Sequence, residues 1–301
     1  MPAELSSSIR AACRERDAVI LAHYYQPPEI QAIADFVGDS LQLAQQAREA
    51  EAAVIVSCGV SFMAETAKIL SPQKLVLNPV PEAGCPMADM VDVEGLRALR
   101  AQYPDAVVVS YVNTSAAVKA ESDICCTSSN ALNVIQSIPA EQRIIFTPDR
   151  NLGANIANQT GREFILWDGC CPIHDALSAD TLRTMIEQHP QAKVVVHPEC
   201  RPEVLALADL ATSTFGLLSY VKENPEGEFI VGTEQGILHT ISQQAPGARC
   251  YSAREDFICA DMKKITLRNV ADSLERLQQP VEIDENIRQQ AYRALDRMLQ
   301  I

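Results

Sequence analysis

Short apolar runs, three to six residues long, recur along the chain. Between them lie stretches whose apolar residues fall three or four apart. Runs of strand length with β-branched content occupy 18–23, 53–57, 74–77, 106–111, 124–126, 143–147, 163–167, 193–197 and 228–231. Helical spacing covers 5–16, then Ile30, Ile33, Ala34 and Val37, then 41–50, 62–70, 94–102, 130–138, 152–158, 179–188, 215–221 and 236–243. The tail reads as two helices, 267–277 and 286–299. Apolar strands alternating with helices predict parallel sheets covered by helices on both faces.

The pattern has a longer period. Val19-Ile20-Leu21-Ala22-His23, Val107-Val108-Val109-Ser110-Tyr111 and Val194-Val195-Val196-His197 are apolar runs that end in a polar or aromatic group, and their end points lie 88 and 86 positions apart. A second run recurs around Ile55, Ile145 and Ile230. Hydroxyls follow at Ser40, Ser128 and Ser213-Thr214, and thiols at Cys85, Cys171 and Cys259, the thiols 86 and 88 apart. The expected fold is α/β: three α/β/α lobes with short parallel sheets, related by a pseudo-threefold axis around one central site. Lobe boundaries are expected near 17–90, 105–177 and 192–262, in a single unit 1–301 with linking helices and a helical segment 264–301. Ligands of open parallel sheets gather at the carboxyl ends of the strands. His23, Tyr111 and His197 stand at such ends.

Composition narrows the chemistry. The 301 residues carry a formal charge of −14 and no basic stripe, so nucleic acid is not an expected partner. No apolar run approaches the roughly 20 residues that span a bilayer. The amino terminus lacks the basic start and apolar core of a signal peptide. A cytoplasmic protein off the membrane is expected, and there the ten cysteines are expected to be reduced. Most then act as core filler.

The periodic cysteines are different. Three thiols from three lobes meet only if the lobes surround one point. Thiolates suit zinc or iron–sulfur clusters, but structural zinc sites usually use paired ligands such as C-x₂-C, and this chain has none. One polynuclear cofactor held from three sides fits better. A four-iron cubane on three cysteines leaves one iron open, as a catalytic metal requires. The neighbouring residues also have plain readings. His23 and His197 can be capped strand ends, Tyr25 packing, Glu199 a solvated loop acid, and Ser40, Ser128, Ser213 and Thr214 helix N-caps. Capping is compatible with anion binding, because helix N-termini attract negative charge.

At these residues the chain resembles the quinolinate synthase family. The strings that carry the likeness are Leu21-Ala22-His23-Tyr24-Tyr25-Gln26, Ile33-Ala34-Asp35-Phe36-Val37-Gly38-Asp39-Ser40, Cys85-Pro86-Met87-Ala88, Tyr111-Val112-Asn113, Thr147-Pro148-Asp149-Arg150-Asn151-Leu152-Gly153, Val196-His197-Pro198-Glu199-Cys200, Gly232-Thr233-Glu234 and Met262-Lys263-Lys264. The resemblance implies a triplicated α/β/α fold. It implies condensation of iminoaspartate with dihydroxyacetone phosphate to quinolinate, with loss of phosphate and two waters. It also implies one [4Fe-4S] cluster per chain and L-aspartate oxidase as a transient partner. Carried over by motif, Cys85, Cys171 and Cys259 become the ligands, and Tyr25 and Glu199 the proton-transfer groups. His23, Ser40, Tyr111, Asn113, Ser128, His197, Ser213 and Thr214 become contacts to substrate carboxylate or phosphate.

The chain departs from the family at Tyr24, commonly Asn, and at Phe215, which stands before Gly216. It also lacks a C-x-x-C before Cys259, so no redox switch is expected there. Two rival classes share features of the pattern. One is a three-lobed, three-cysteine cluster enzyme such as an isoprenoid diphosphate reductase or diphthamide radical enzyme, and the other is a non-catalytic cluster sensor. Of the adjacent Cys170 and Cys171, Cys171 is the expected ligand because it precedes Pro172 as Cys85 precedes Pro86. Proline keeps the preceding residue extended, and neighbouring side chains on extended backbone point opposite ways.

Overall fold

The periodic apolar runs become the central strands of three parallel sheets in a computed structural model, which describes residues 2–301. The first lobe runs α1 (Pro2–Arg16), β1 (Ala18–His23), α2 (Pro28–Ile33), β2 (Phe36–Gly38), α3 (Ser40–Glu49), β3 (Val54–Cys58), α4 (Ser61–Leu70) and β4 (Leu75–Leu77). The second runs α5 (Val93–Gln102), β5 (Val107–Tyr111), α6 (Ala116–Ala120), β6 (Ile124–Cys126), α7 (Ala131–Gln136), β7 (Ile144–Thr147), α8 (Arg150–Thr160) and β8 (Phe164–Leu166). After the short α9 (Pro172–Asp175), the third runs α10 (Ala179–Gln188), β9 (Lys193–Val196), α11 (Pro202–Leu205), β10 (Leu210–Ala211), α12 (Thr214–Glu223), β11 (Glu228–Gly232), α13 (Ile237–Gln244) and β12 (Arg249–Ser252). The tail is α14 (Leu267–Arg276) and α15 (Glu285–Leu299).

The strand orders are β2-β1-β3-β4, β6-β5-β7-β8 and β10-β9-β11-β12, one topology three times. The registers agree as well. Val19 faces Ile55, Val108 faces Ile145, and Val194 faces Ile230, so the two apolar runs of each period are neighbouring strands. These strands are buried on both faces, which is why they read as unbroken apolar runs. Every residue of β3 and β7 is buried.

An acid introduces one edge strand of each sheet, β2, β6 and β10. Asp35, Asp123 and Asp209 accept the amides of Ile20, Val108 and Val194, each at 2.8 Å. The three stand 88 and 86 positions apart. Each also pairs with a cation, Arg10, Arg100 and Lys193 respectively. Partly exposed pairs of this kind contribute about 1 kcal/mol at most. Their larger effect is to fix where the edge strand joins.

Four expectations are corrected. Val37 does not extend a helix; it pairs with Ala22 in β2. The edge strands β10 and β12 escape the apolar pattern, because an edge strand buries little and β10 has two residues. Ser40 is not the cap of α3: Asp39 is, accepting the amides of Leu41 and Gln42. Ser128 lies in the turn before α7, whose N-cap position is Asn130.

The tail helices cover the lobes unequally. Ile9 and Cys13 of α1 and Val270 and Leu274 of α14 share a core with Ile20 and Val56 of the first sheet. Ala291, Ala294, Leu295 and Met298 of α15 are buried, and Asn130 donates to the Met298 carbonyl at 3.2 Å. Among the described residues, no helix is long and apolar enough to cross a membrane.

Candidate active site

In each sheet the chain leaves the first strand toward one neighbour and returns on the other side, so a crevice opens at its carboxyl end. The three crevices share one cavity of about 260 Å³. Each lobe lines it with a pair two residues apart: His23 and Tyr25, Tyr111 and Asn113, His197 and Glu199. Ser40, Ser128 and Thr214 add a hydroxyl from each lobe, and Cys85, Cys171 and Cys259 a thiol from each. Ser213 does not line the cavity. Its hydroxyl caps α12 by accepting the Gly216 amide at 3.2 Å.

The two histidines are held by the same turn. His23 Nδ1 accepts the amide of Tyr25 at 3.1 Å, and His197 Nδ1 accepts that of Glu199 at 3.4 Å. The proton of each ring therefore sits on Nε2, and in His197 that nitrogen reaches Ser128 Oγ at 3.2 Å. Burial first, then His197 and Lys263, push His23 down to about 3; burial pushes His197 to about 3, against the pull of Glu199. Both are neutral donors at neutral pH.

A chain of buried hydrogen bonds joins the lobes. Tyr25 Oη contacts Thr214 Oγ1 at 2.8 Å and Thr233 Oγ1 at 2.6 Å. Thr233 Oγ1 meets His174 Nε2 at 2.8 Å, and His174 Nδ1 meets Glu199 Oε2 at 2.7 Å. Tyr111 donates to Glu199 Oε1 at 2.6 Å. Burial holds Tyr25 and Tyr111 well above the ordinary tyrosine range. Burial also raises Glu199, but His197, His174 and the hydrogen bonds from His174 and Tyr111 outweigh it and hold the carboxyl low.

The cysteines share a local design. Each sulfur accepts the amide three residues on: Ala88 for Cys85, His174 for Cys171 and Met262 for Cys259. Cys171 is extended and opens α9 at Pro172. Cys170 is outside the cavity lining, and its amide donates to Met90 Sδ at 3.4 Å. Burial raises all three periodic thiols, Cys85 to about 12. Carboxylates anchor their segments. Asp149 accepts the Cys171 amide, Glu234 the Cys259 amide and Asp261 the Gly84 amide, each at 3.2 Å.

Comparison with known proteins decides the family. The family described as "NadA: Quinolinate synthetase A protein" matches residues 7–300. This chain belongs to the quinolinate synthetase A family. It is 54% identical to the quinolinate synthase of Desulforudis audaxviator over 98% of both chains. It is 52% identical to that of Methanosarcina barkeri, over 99% of this chain and 98% of the relative. The Geobacter metallireducens quinolinate synthase is 50% identical over 99% of this chain and 97% of its own. Family membership makes the chain an enzyme of quinolinate formation.

Residue types alone leave the linking members of this family site unassigned. Thr233, Glu234 and Lys263 stand within strings that carry the likeness, and His174 stands in none of them. His174 had one signal, its place three residues after Cys171 on the same helical turn. A different metal trio is also close: the ligand atoms of Cys171, His174 and Glu199 lie within 4.8 Å of one another. There both ring nitrogens of His174 and both oxygens of Glu199 already have hydrogen-bond partners. That trio works as a hydrogen-bonded network. The three periodic thiols line the cavity, and Cys171 Sγ also lies 3.3 Å from His174 Nδ1.

Proposed function

We propose that the chain condenses iminoaspartate with dihydroxyacetone phosphate to quinolinate, releasing phosphate and two waters, beside a [4Fe-4S] cluster on Cys85, Cys171 and Cys259. The observation that carries this reading is the single cavity onto which three lobes each present one thiol and one pair of polar strand-end residues. The donor set fits the group. Amide donation to each sulfur is the environment that stabilises a cluster thiolate, and it recurs in all three lobes. When bound, the cluster supplies an open iron as a Lewis acid for loss of water.

The protein's own groups divide the remaining work. Asn113 Oδ1 is buried without a partner at the cavity wall, a donor-seeking oxygen suited to a substrate amine or hydroxyl. Ser40 and Thr214 open α3 and α12, where the helix ends favour carboxylate or phosphate. Ser213 acts through the helix end it caps. His23, Tyr111, Ser128 and His197 add neutral donors, so an acidic protein can bind anionic substrates. Tyr25 Oη is joined through Thr233 and His174 to Glu199, so a proton that Tyr25 gives to the substrate can be replaced along that chain. Burial keeps Tyr25 protonated at neutral pH, the state of a proton donor.

The reading extends to one unit over 1–301 in the cytoplasm, with L-aspartate oxidase in transient contact as the source of the imino acid. The test is anaerobic purification followed by iron and sulfide analysis and addition of both substrates. About four iron and four sulfide per chain, with quinolinate formed, are expected. Stoichiometric zinc without sulfide, or no quinolinate from loaded protein, overturns it.

A further inference from the structure

Glu234 and Lys263 belong to no catalytic step above, yet they occupy the junction between the Cys259 segment and the Tyr25 turn. Glu234 is fully buried. Its Oε1 accepts the Cys259 amide at 3.2 Å and pairs with Lys263 Nζ at 2.8 Å, and its Oε2 accepts the Gly236 amide at 2.7 Å. Lys263 Nζ also donates to the backbone carbonyl of Tyr25. On the far side, Gln31 Nε2 donates to the carbonyls of Tyr24, Gln26 and Gly236 at 2.9, 2.8 and 3.1 Å. Gly236 has an ordinary helical backbone, so its glycine is a matter of space. A Cβ there would lie 2.8 Å from Glu234 Oε2, 2.8 Å from Tyr25 Cα and 2.9 Å from Lys263 Nζ.

We propose that Glu234 and Lys263 are positioning residues that form a latch, making metal-group binding by Cys259 and the placement of Tyr25 depend on each other. The inference rests on the cluster reading above. Cys259 has one amide, and Glu234 fixes it only while Lys263 neutralises the buried carboxylate. The same ammonium holds the Tyr25 carbonyl in the first lobe. A shift of the Cys259 segment therefore moves the tyrosine backbone, and a shift of the tyrosine loosens the ligand segment. A misplacement of about 1 Å at a reacting group can cost about 10²-fold in rate, so a short ionic linkage suffices to couple the two.

The test uses the full chain with and without its reconstituted iron–sulfur group, as wild type, Lys263→Met, Glu234→Gln and the double variant. Iron and sulfide content, hydrogen exchange of residues 21–27 and kcat are measured for each. Loading should slow exchange in 21–27 of the wild type by about tenfold or more, the signature of a local opening closed by a ligand. Lys263→Met should load iron, lose that slowing, and fall by about 10²-fold in kcat with a smaller change in KM. Loading-dependent protection equal to wild type in the variant, or unchanged kcat, overturns the latch. Removing one partner of a buried ion pair can prevent folding. In that event the double variant, with no charge left unpaired, decides on the same readouts. A wild type that binds no iron and sulfide removes the cluster reading itself; one that loads without any protection of 21–27 removes the latch alone.

Discussion

In the first lobe β1 ends in His23-Tyr24-Tyr25, and in the third β9 runs out into His197-Pro198-Glu199. Both histidines accept the amide two residues on, so the two turns superpose in hydrogen bonding. The side chains that follow differ, a phenol hydroxyl at Tyr25 and a carboxylate at Glu199. The segments that carry the periodic thiols differ more. Cys259 is anchored by Glu234, just past the third strand of its own lobe, as Cys171 is by Asp149. The first lobe has Gly59, Val60 and Ser61 after β3, and no acid there. Its Cys85 segment is held from outside, by Asp261 at the Gly84 amide and by Lys264 at the Glu82 carbonyl, 2.8 Å away. Repetition thus supplies the frame and the thiol three times. Specialisation enters through the residue after the histidine and through which lobe holds the loop.

The comparison breaks most visibly at the second lobe, where two thiols are adjacent. Only Cys171 repeats the design of Cys85 and Cys259, with an amide three residues on and a place at the cavity. Cys171→Ser should lose iron and quinolinate formation together, and Cys170→Ser should keep both. Anaerobic iron content of the two variants decides it. Iron lost from the Cys170 variant and kept by the Cys171 variant would reverse the assignment.

Next in size is the exchange of roles between Tyr25 and Glu199. Tyr25→Phe and Glu199→Gln keep shape and remove one proton position each. Both should retain iron and lower kcat by about 10²–10⁴-fold, the usual range for a positioned acid or base. Because both lie on one hydrogen-bond chain through Thr233 and His174, the double variant should be little slower than the worse single one. Additive losses in kcat would show two separate pathways.

The frame was legible and the wiring was not, for a physical reason. Central strands are buried on both faces, so their apolar runs carry the period, and Ile55, Ile145 and Ile230 reveal the second central strand of each lobe. The edge strands β2, β10 and β12 show no such run: Val37 continues the helical spacing of Ile30 and Ile33 while pairing with Ala22 in β2. Asp35, Asp123 and Asp209 keep the period and are readable in retrospect. Of the site, the periodic residues line the cavity, Ser213 excepted. His174 and Thr233 are 59 positions apart, and Tyr25 and Thr233 are 208 apart. Such contacts depend on how the lobes face one another, which no single lobe's pattern encodes.

The smallest expected effect sharpens the likeness between the first and third lobes. Their histidines are fully buried and lowered to about 3, burial being the main cause. In the unfolded chain each titrates near the ordinary value of about 6.5. Between about pH 3 and 6.5 the unfolded state therefore binds more protons at both sites, and stability falls as the pH is lowered through that window. Each site contributes a slope approaching about 1.4 kcal/mol per pH unit near its middle. Asp149 acts with the opposite sign, because burial and the charge of Glu199 push it up to about 8. It is common to all variants and cancels when slopes are compared. Urea unfolding of metal-free protein at pH 5, 6 and 7.5 should therefore give a shallower acid loss for His23→Gln and for His197→Gln, by similar amounts. Tyr111→Phe, at the matching position of the second lobe, should leave the slope unchanged, since a raised tyrosine does not titrate there. If one histidine variant alone flattens the profile, the two turns are alike in hydrogen bonding but not in charge, and the other ring is protonated within its lobe at acid pH.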